Sequence, residues 1–488
     1  MNKYVLTIDQ GTTSSRVIIF DERGNIIYKT SKEFKQYYPF DGAVLHDPNT
    51  IYEDVVELIL KALNEVNIDY SEIIGCGITN QRETTVLWNR LTSEPVYKAI
   101  VWQSTQSKDI CQELIDNNYS DLIHQKTGLI INPYFSATKI KWILDNVDGV
   151  KELMDEGNLM FGTIDTWLIY KLTGKHVTDY TNASRTMLFN INDLCWDKDI
   201  LDILKINENI LPSVIGCNDT IGKITEKRIS SILDLELCAV SGDQQASMIG
   251  HTCFNEGSVK ITYGTGSFML INVGNKPIFS KNGLLTTIGY KINGEIAYAL
   301  EGSVFVAGSA FAFIRDNLEI VKSLSDDEFA QMNSNGVVFV PALTGLGAPY
   351  WNSSSKGAIF GLTRATKKSD IAWATIEGVA YLNNDVLDVM LRDTHLDLSG
   401  ISVDGGASLN KHLMQEQANI MQSKIKTIST SEATSLGIFY LVGLNKGLFK
   451  SIDEVDKCYK ATNEYLPQKY DNDKYLRWKR AIKACMEY

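Results

Sequence analysis

At 488 residues the chain exceeds what one hydrophobic core supports, so two large domains are expected. Its 44% hydrophobic and 22% charged residues make a globular composition and exclude a disordered chain. A formal net charge of -12 argues against a nucleic-acid partner, yet leaves room for a nucleotide, whose phosphates are met by local backbone N–H groups.

The chain enters a strand almost at once, at Tyr4-Val5-Leu6-Thr7-Ile8, without the apolar run and cleavage pattern of a signal peptide. No apolar stretch reaches the ~18 residues of a membrane helix, so a cytoplasmic protein with no membrane insertion is expected. Val5 to Phe20 reads as a β-hairpin, two apolar β-branched runs around the polar tip Gln10-Gly11-Thr12-Thr13-Ser14. Ile51 to Val66 has helical apolar spacing, and Ile73 to Thr79 reads as a strand. It is followed by the adjacent opposite charges Arg82 and Glu83. Thr138 to Asn146 is amphipathic, with Trp142 on the apolar side. Val259 to Asn272 then repeats the design of the first hairpin, with the tip Gly264-Thr265-Gly266. Gly336 to Pro341 reads as a strand ended by proline, Ile371 to Arg392 as a long helix, and Ile401 to Asp404 as a strand entering the turn Gly405-Gly406.

This is an α/β pattern, and the recurring hairpin suggests a duplicated fold with a boundary near residues 245–258. The eight cysteines and six histidines are dispersed, without C-x-x-C or metal-ligand spacing, and the cysteines read as reduced thiols.

Each hairpin tip can aim N–H groups and hydroxyls at phosphate oxygens. Thr12, Thr13 and Ser14 supply donors, and Arg16 a fixed positive charge. Asp9, at a strand end, can hold Mg²⁺ through water. Taken alone, Asp9 is more often a turn residue and Arg16 a solvated surface charge. Arg82 and Glu83 alternate across a strand, but at its end both can turn inward to bind vicinal hydroxyls. Asp243, in Ser241-Gly242-Asp243-Gln244, can serve as a general base, with Gly242 allowing close approach to the backbone.

Several runs together resemble the FGGY family of carbohydrate kinases over nearly the whole length. Asp9 to Arg16 resembles its first phosphate hairpin, and Tyr134-Phe135-Ser136-Ala137-Thr138-Lys139-Ile140-Lys141-Trp142 its first signature. Gly357 to Leu362, with Asp370-Ile371 and Ala374 to Glu377, resembles the second. Asn80 to Thr85, Asp179 to Thr186 and Gly345 to Trp351 resemble the members acting on glycerol.

The resemblance implies two ribonuclease-H-like, actin-like ATPase domains, 1–250 and 251–488, with glycerol mostly on the first, ATP mostly on the second, and an interdomain cleft. It implies ATP- and Mg²⁺-dependent phosphorylation of glycerol to sn-glycerol 3-phosphate by a homo-oligomer, a dimer or tetramer. Asp243 would be the catalytic base, and Asp9 and Asp243 the metal contacts. Arg82, Glu83, Tyr134, Asp243 and Gln244 would hold the substrate, between the apolar walls Trp102 and Phe268. Thr12, Thr13, Ser14, Arg16, Thr265, Gly308, Gly406 and Asn410 would hold the nucleotide. Another polyol or sugar as substrate, and a silent sensor of nucleotide or polyol, remain alternatives.

Three departures from the family pattern stand out. Gln103-Ser104-Thr105-Gln106 lacks the acid and arginine usual after Trp102, which bears on substrate affinity or specificity. Ala312 replaces a glutamine that usually contacts the nucleotide, implying weaker ATP binding or a compensating residue. Cys217 to Leu235 has neither the glycine- and arginine-containing loop that binds fructose 1,6-bisphosphate in some relatives nor the histidine phosphorylated in others, so neither control is expected.

Overall fold

Strand β1 (Tyr4–Gln10) pairs antiparallel with β2 (Ser14–Asp21), forming the hairpin that the sequence predicts. The structure, a computed structural model, describes residues 2–488 except 324–328, 330–332, 429 and 431. β3 (Ile26–Glu33) continues the antiparallel meander. Helix α1 (Pro48–Glu65) starts where Asp47 caps the N–H groups of Asn49 and Thr50, with proline as its first residue. Its apolar stripe, including Ile51, Val55, Ile59 and Leu63, packs on the sheet. β4 (Ile73–Asn80) returns parallel to β1. Helix α2 (Ser136–Asn146) follows in a side cluster. β5 (Gly222–Lys223) and β6 (Glu236–Gly242) complete a sheet of order β5-β6-β4-β1-β2-β3, and β6 leads straight into α3 (Asp243–Gly250).

A second sheet repeats the pattern. β7 (Ser258–Tyr263) and β8 (Ser267–Gly274) form the second hairpin, beside β9 (Leu285–Ile292) and β10 (Glu295–Val304). β11 (Gly400–Asp404) runs parallel to β7, β12 (Ile425–Ile428) parallel to β11, and β13 (Ala461–Tyr465) antiparallel to β12. The order is β9-β10-β8-β7-β11-β12-β13. Leaving out β9, the two sheets match strand for strand in position and direction. Their antiparallel last strands differ only in coming before or after their partners in the chain. Helix α4 (Lys368–Thr394) lies against this sheet, and α5 (Lys411–Met421) follows β11. The predicted strand over Gly336–Pro341 shortens to Val338–Val340, since Gly336 has a positive φ and Pro341 lacks a donor.

Helix α6 (Ala433–Asn445) joins the halves. It is apolar on nearly every side, as a helix buried all round must be. One side packs on β1, β4 and β6 of the first sheet, with Phe439 against Phe20 at a ring separation of 5.4 Å. Another crosses α3 with almost no side chain between. A Cβ on Gly437 would lie 1.9 Å from the Ala246 carbonyl oxygen, and one on Gly250 2.0 Å from that of Ala433. A core including Val5, Phe20, Met248, Leu270 and Ile438 thus spans both sheets.

Candidate active site

The carboxyl ends of the parallel strands β1, β4 and β6 bring Gln10, Asn80 and Gly242 to one edge, the usual place for ligands in such sheets. Beyond β4, Glu83 adopts φ +59°, which breaks the strand alternation and turns both charges of the Arg82-Glu83 pair inward. They pair mainly with other residues, since Arg82 Nε and Glu83 Oε1 are 3.9 Å apart. Arg82 makes a two-pronged bond to Glu301, Nη1–Oε2 at 2.6 Å and Nη2–Oε1 at 2.9 Å. Arg185 Nε donates to Glu83 Oε1 at 2.6 Å, and its Nη2 reaches Glu301 Oε1 at 3.1 Å. All four side chains are buried. Burial would raise the Glu301 pKa, but Arg185 and Arg82 hold it down to about 2.

The Glu83 carbonyl is fixed as well, accepting from Ser136 Oγ at 3.0 Å and Lys139 Nζ at 3.3 Å. Lys139 also donates to the Tyr134 carbonyl at 2.5 Å, so the signature lysine clamps two predicted substrate contacts through their backbones. Burial lowers its pKa to about 7. The Tyr134 ring lies under the Arg185 guanidinium and edge-on to Trp102, at 5.6 Å in each case. Trp102 Nε1 donates to Thr12 Oγ1 at 2.9 Å, linking this wall to the first hairpin tip.

Asp243 is the first residue of α3, and its Oδ1 lies 3.2 Å from Arg82 Nε. About a third of its side chain (32%) is exposed, so the carboxylate faces a space another molecule can enter. Burial raises its pKa, opposed by Arg82 and Lys260. Gly242 differs from expectation in what it accommodates. A Cβ there would meet the Arg82 stem at 2.8 Å, so its bareness makes way for arginine. Gln244 Oε1 accepts from the buried Lys260, which leaves the amide N–H groups as its remaining donors. Burial lowers the Lys260 pKa to about 8.

Asp9 pairs in register with Arg16 across the β1–β2 hairpin. Burial pushes its pKa up to about 6, against the pull of Arg16 and with a further push from Glu432 and Asp243. Arg16 lies 3.5 Å from Asp9 but 2.6 Å from Glu432, just before α6, and Lys29 also contacts Glu432. Among the described residues no three His, Cys, Asp or Glu side chains converge as a protein-built metal cage. Asp9 and the partly exposed Asp243, whose charges repel, suit Mg²⁺, which takes one or two carboxylates and otherwise water and phosphate oxygens.

On the second sheet, the turns at the ends of β7 and β11 lie side by side. A Cβ on Gly405 would meet the Tyr263 carbonyl oxygen at 2.3 Å, and one on Gly308 that of Gly264 at 2.4 Å. Thr265 and Gly406 are exposed at this mouth. Asn410 caps α5 with its side-chain oxygen, accepting from the His412 and Leu413 N–H groups. Phe268 is half-buried on β8, in register with Thr262. Ala312 ends the short helix that Gly308 begins. The altered run after Trp102 is tied down without the missing charges. Thr105 N and Ser104 Oγ donate to the Gly42 carbonyl at 2.8 and 3.0 Å.

Four residues of this assembly escape a reading by motif roles: Arg185, Lys139, Lys260 and Glu301. Arg185 and Lys139 lie inside runs quoted for the resemblance. Lys260 is a lone charge in the predicted apolar strand of the second hairpin, and that is the signal that marks it, whereas Glu301 lies on β10, a strand not predicted from the sequence.

Residues 4–250 match the N-terminal domain, and 259–445 the C-terminal domain, of the FGGY family of carbohydrate kinases. A protein of Ligilactobacillus salivarius named glycerol kinase is 49% identical, over 99% of this chain and 97% of its own. The crystal structure of a Plasmodium falciparum glycerol kinase with ADP superposes with a TM-score of 0.93 at 35% identity, covering 99% of this chain and 98% of that one. A ligand-bound xylulose kinase from Lactobacillus acidophilus gives 0.88 at 23% identity, covering 99% and 97%, a likeness of fold alone.

Proposed function

The chain belongs to the FGGY family of carbohydrate kinases, and from that premise we propose that it transfers the γ-phosphoryl group of ATP to a terminal hydroxyl of glycerol. The products are sn-glycerol 3-phosphate and ADP. One geometric observation carries the reading: a buried guanidinium suited to vicinal hydroxyls stands 3.2 Å from a partly open carboxylate suited to take a hydroxyl proton. The names of the relatives agree with it.

Arg82 donates to the substrate hydroxyls and Glu83 accepts from them, while Gln244 and Tyr134 add polar contacts. Trp102 and Phe268 flank the carbon skeleton. Asp243 accepts the proton of the attacking hydroxyl. Burial raises its pKa, which makes it a better base than an ordinary carboxylate, and the Arg82 charge opposes that rise. Thr12, Thr13, Ser14 and Thr265 offer donors to the phosphates, and Gly308, Gly406 and Asn410 face the adenosine. Arg16 adds positive charge from beside Glu432. Asp9 and Asp243 would hold Mg²⁺, which would supply charge neutralisation on the phosphates. Phosphoryl transfer depends chiefly on such positioning and neutralisation. Closure of the two halves, residues 1–250 and 251–488, excludes water and limits idle hydrolysis.

The acceptor is tested by ADP release from Mg²⁺-ATP with glycerol, erythritol, xylulose, dihydroxyacetone or no acceptor. Turnover dependent on glycerol is expected. A clear preference for xylulose or erythritol would reassign the substrate within the family, and no turnover with any acceptor would leave a silent binding protein.

A further inference from the structure

We propose that Glu301, on β10 of the second sheet, is the positioning residue that aims Arg82 at the substrate. The inference rests on the reading of Arg82 as a glycerol contact.

Its side chain is fully buried, and in register its strand neighbours are Leu270 and Leu285. A carboxylate is costly in such a place unless paired, and here both oxygens are used. Oε2 accepts from Arg82 Nη1 at 2.6 Å, and Oε1 from Arg82 Nη2 at 2.9 Å and Arg185 Nη2 at 3.1 Å. The result is a row of alternating charge, Asp243, Arg82, Glu301, Arg185 and Glu83. Glu301 alone in that row comes from the second sheet.

Two consequences follow from the chemistry. Without the Glu301 charge, Arg82 and Arg185 face each other across a neutral group in a buried site. The carboxylate next nearest to Arg82 is Asp243, at 3.2 Å, so Arg82 swings toward the proposed base and away from the substrate hydroxyls. Gln245, whose Oε1 accepts from Arg82 Nη1 at 3.1 Å, is neutral and cannot replace the lost charge. The substrate side of the site is therefore built by both sheets, and glycerol recognition depends on how the halves sit together.

The test compares Glu301→Gln, Glu301→Asp and Arg185→Lys with the wild type as full chains. It measures kcat and separate KM values for glycerol and ATP, together with thermal midpoints. Glycerol-dependent turnover by the wild type establishes the underlying reading before any variant is judged. Glu301→Gln is expected to raise the KM for glycerol at least about tenfold, with the KM for ATP within about twofold. Glu301→Asp should recover part of that loss, because it restores the charge on a shorter arm. A merely structural role would instead lower the thermal midpoint and shift both KM values alike, or neither, and that result overturns the proposal. Should Glu301→Gln fail to fold, Glu301→Asp decides: a selective rise in the glycerol KM supports the proposal, and an unchanged value refutes it.

Discussion

The Asp9 side chain on β1 is only 15% exposed, and the loss of water around its carboxylate pushes its pKa up to about 6. The sign follows from linkage. Unfolding lets Asp9 ionise near its ordinary value of 3.8, so the folded state loses stability as pH rises from about 4 to about 6 and stays penalised above. Asp9→Asn is therefore expected to stabilise the ligand-free protein at pH 7 by on the order of 1–3 kcal/mol while activity falls. A melting series across pH checks this: the gain should vanish below about pH 4. Arg82, Glu83 and Asp243 were singled out as candidates at this scale because adjacent opposite charges and a Gly-Asp after a strand are conspicuous in one dimension. Glu301 was not. Its partners lie 219 and 116 positions away in the chain, and only the folded sheets bring them together.

At the scale of elements, the hairpins and the helices around Ile51–Val66 and Ile371–Arg392 were readable from period and turn chemistry, with ends shifting by a few residues. Helix α6 was not, because apolar residues on every side leave no period to detect. What specifies its position is the paired bareness of Gly250 and Gly437. Gly437→Ala would put a methyl group 1.9 Å from a carbonyl oxygen and should cost at least about 2 kcal/mol, seen as a lower thermal midpoint. A midpoint equal to the wild type would mean that the crossing is looser than described.

For the whole molecule, the duplication was visible as one hairpin met twice, and the sheets extend it to six matching strands. The ties between halves were invisible in the sequence: Arg16 to Glu432, Arg82 to Glu301, and α6 laid across the first sheet. Such ties make the catalytic arrangement a property of the assembled chain. The central claim is that this assembly phosphorylates glycerol with Asp243 as the base. The most direct measurement is glycerol-dependent turnover of Asp243→Asn against the wild type, with ATP binding followed in parallel. A loss of about 10²–10⁴-fold in kcat, with nucleotide still bound, is the predicted result. Turnover within about tenfold of the wild type would contradict the claim.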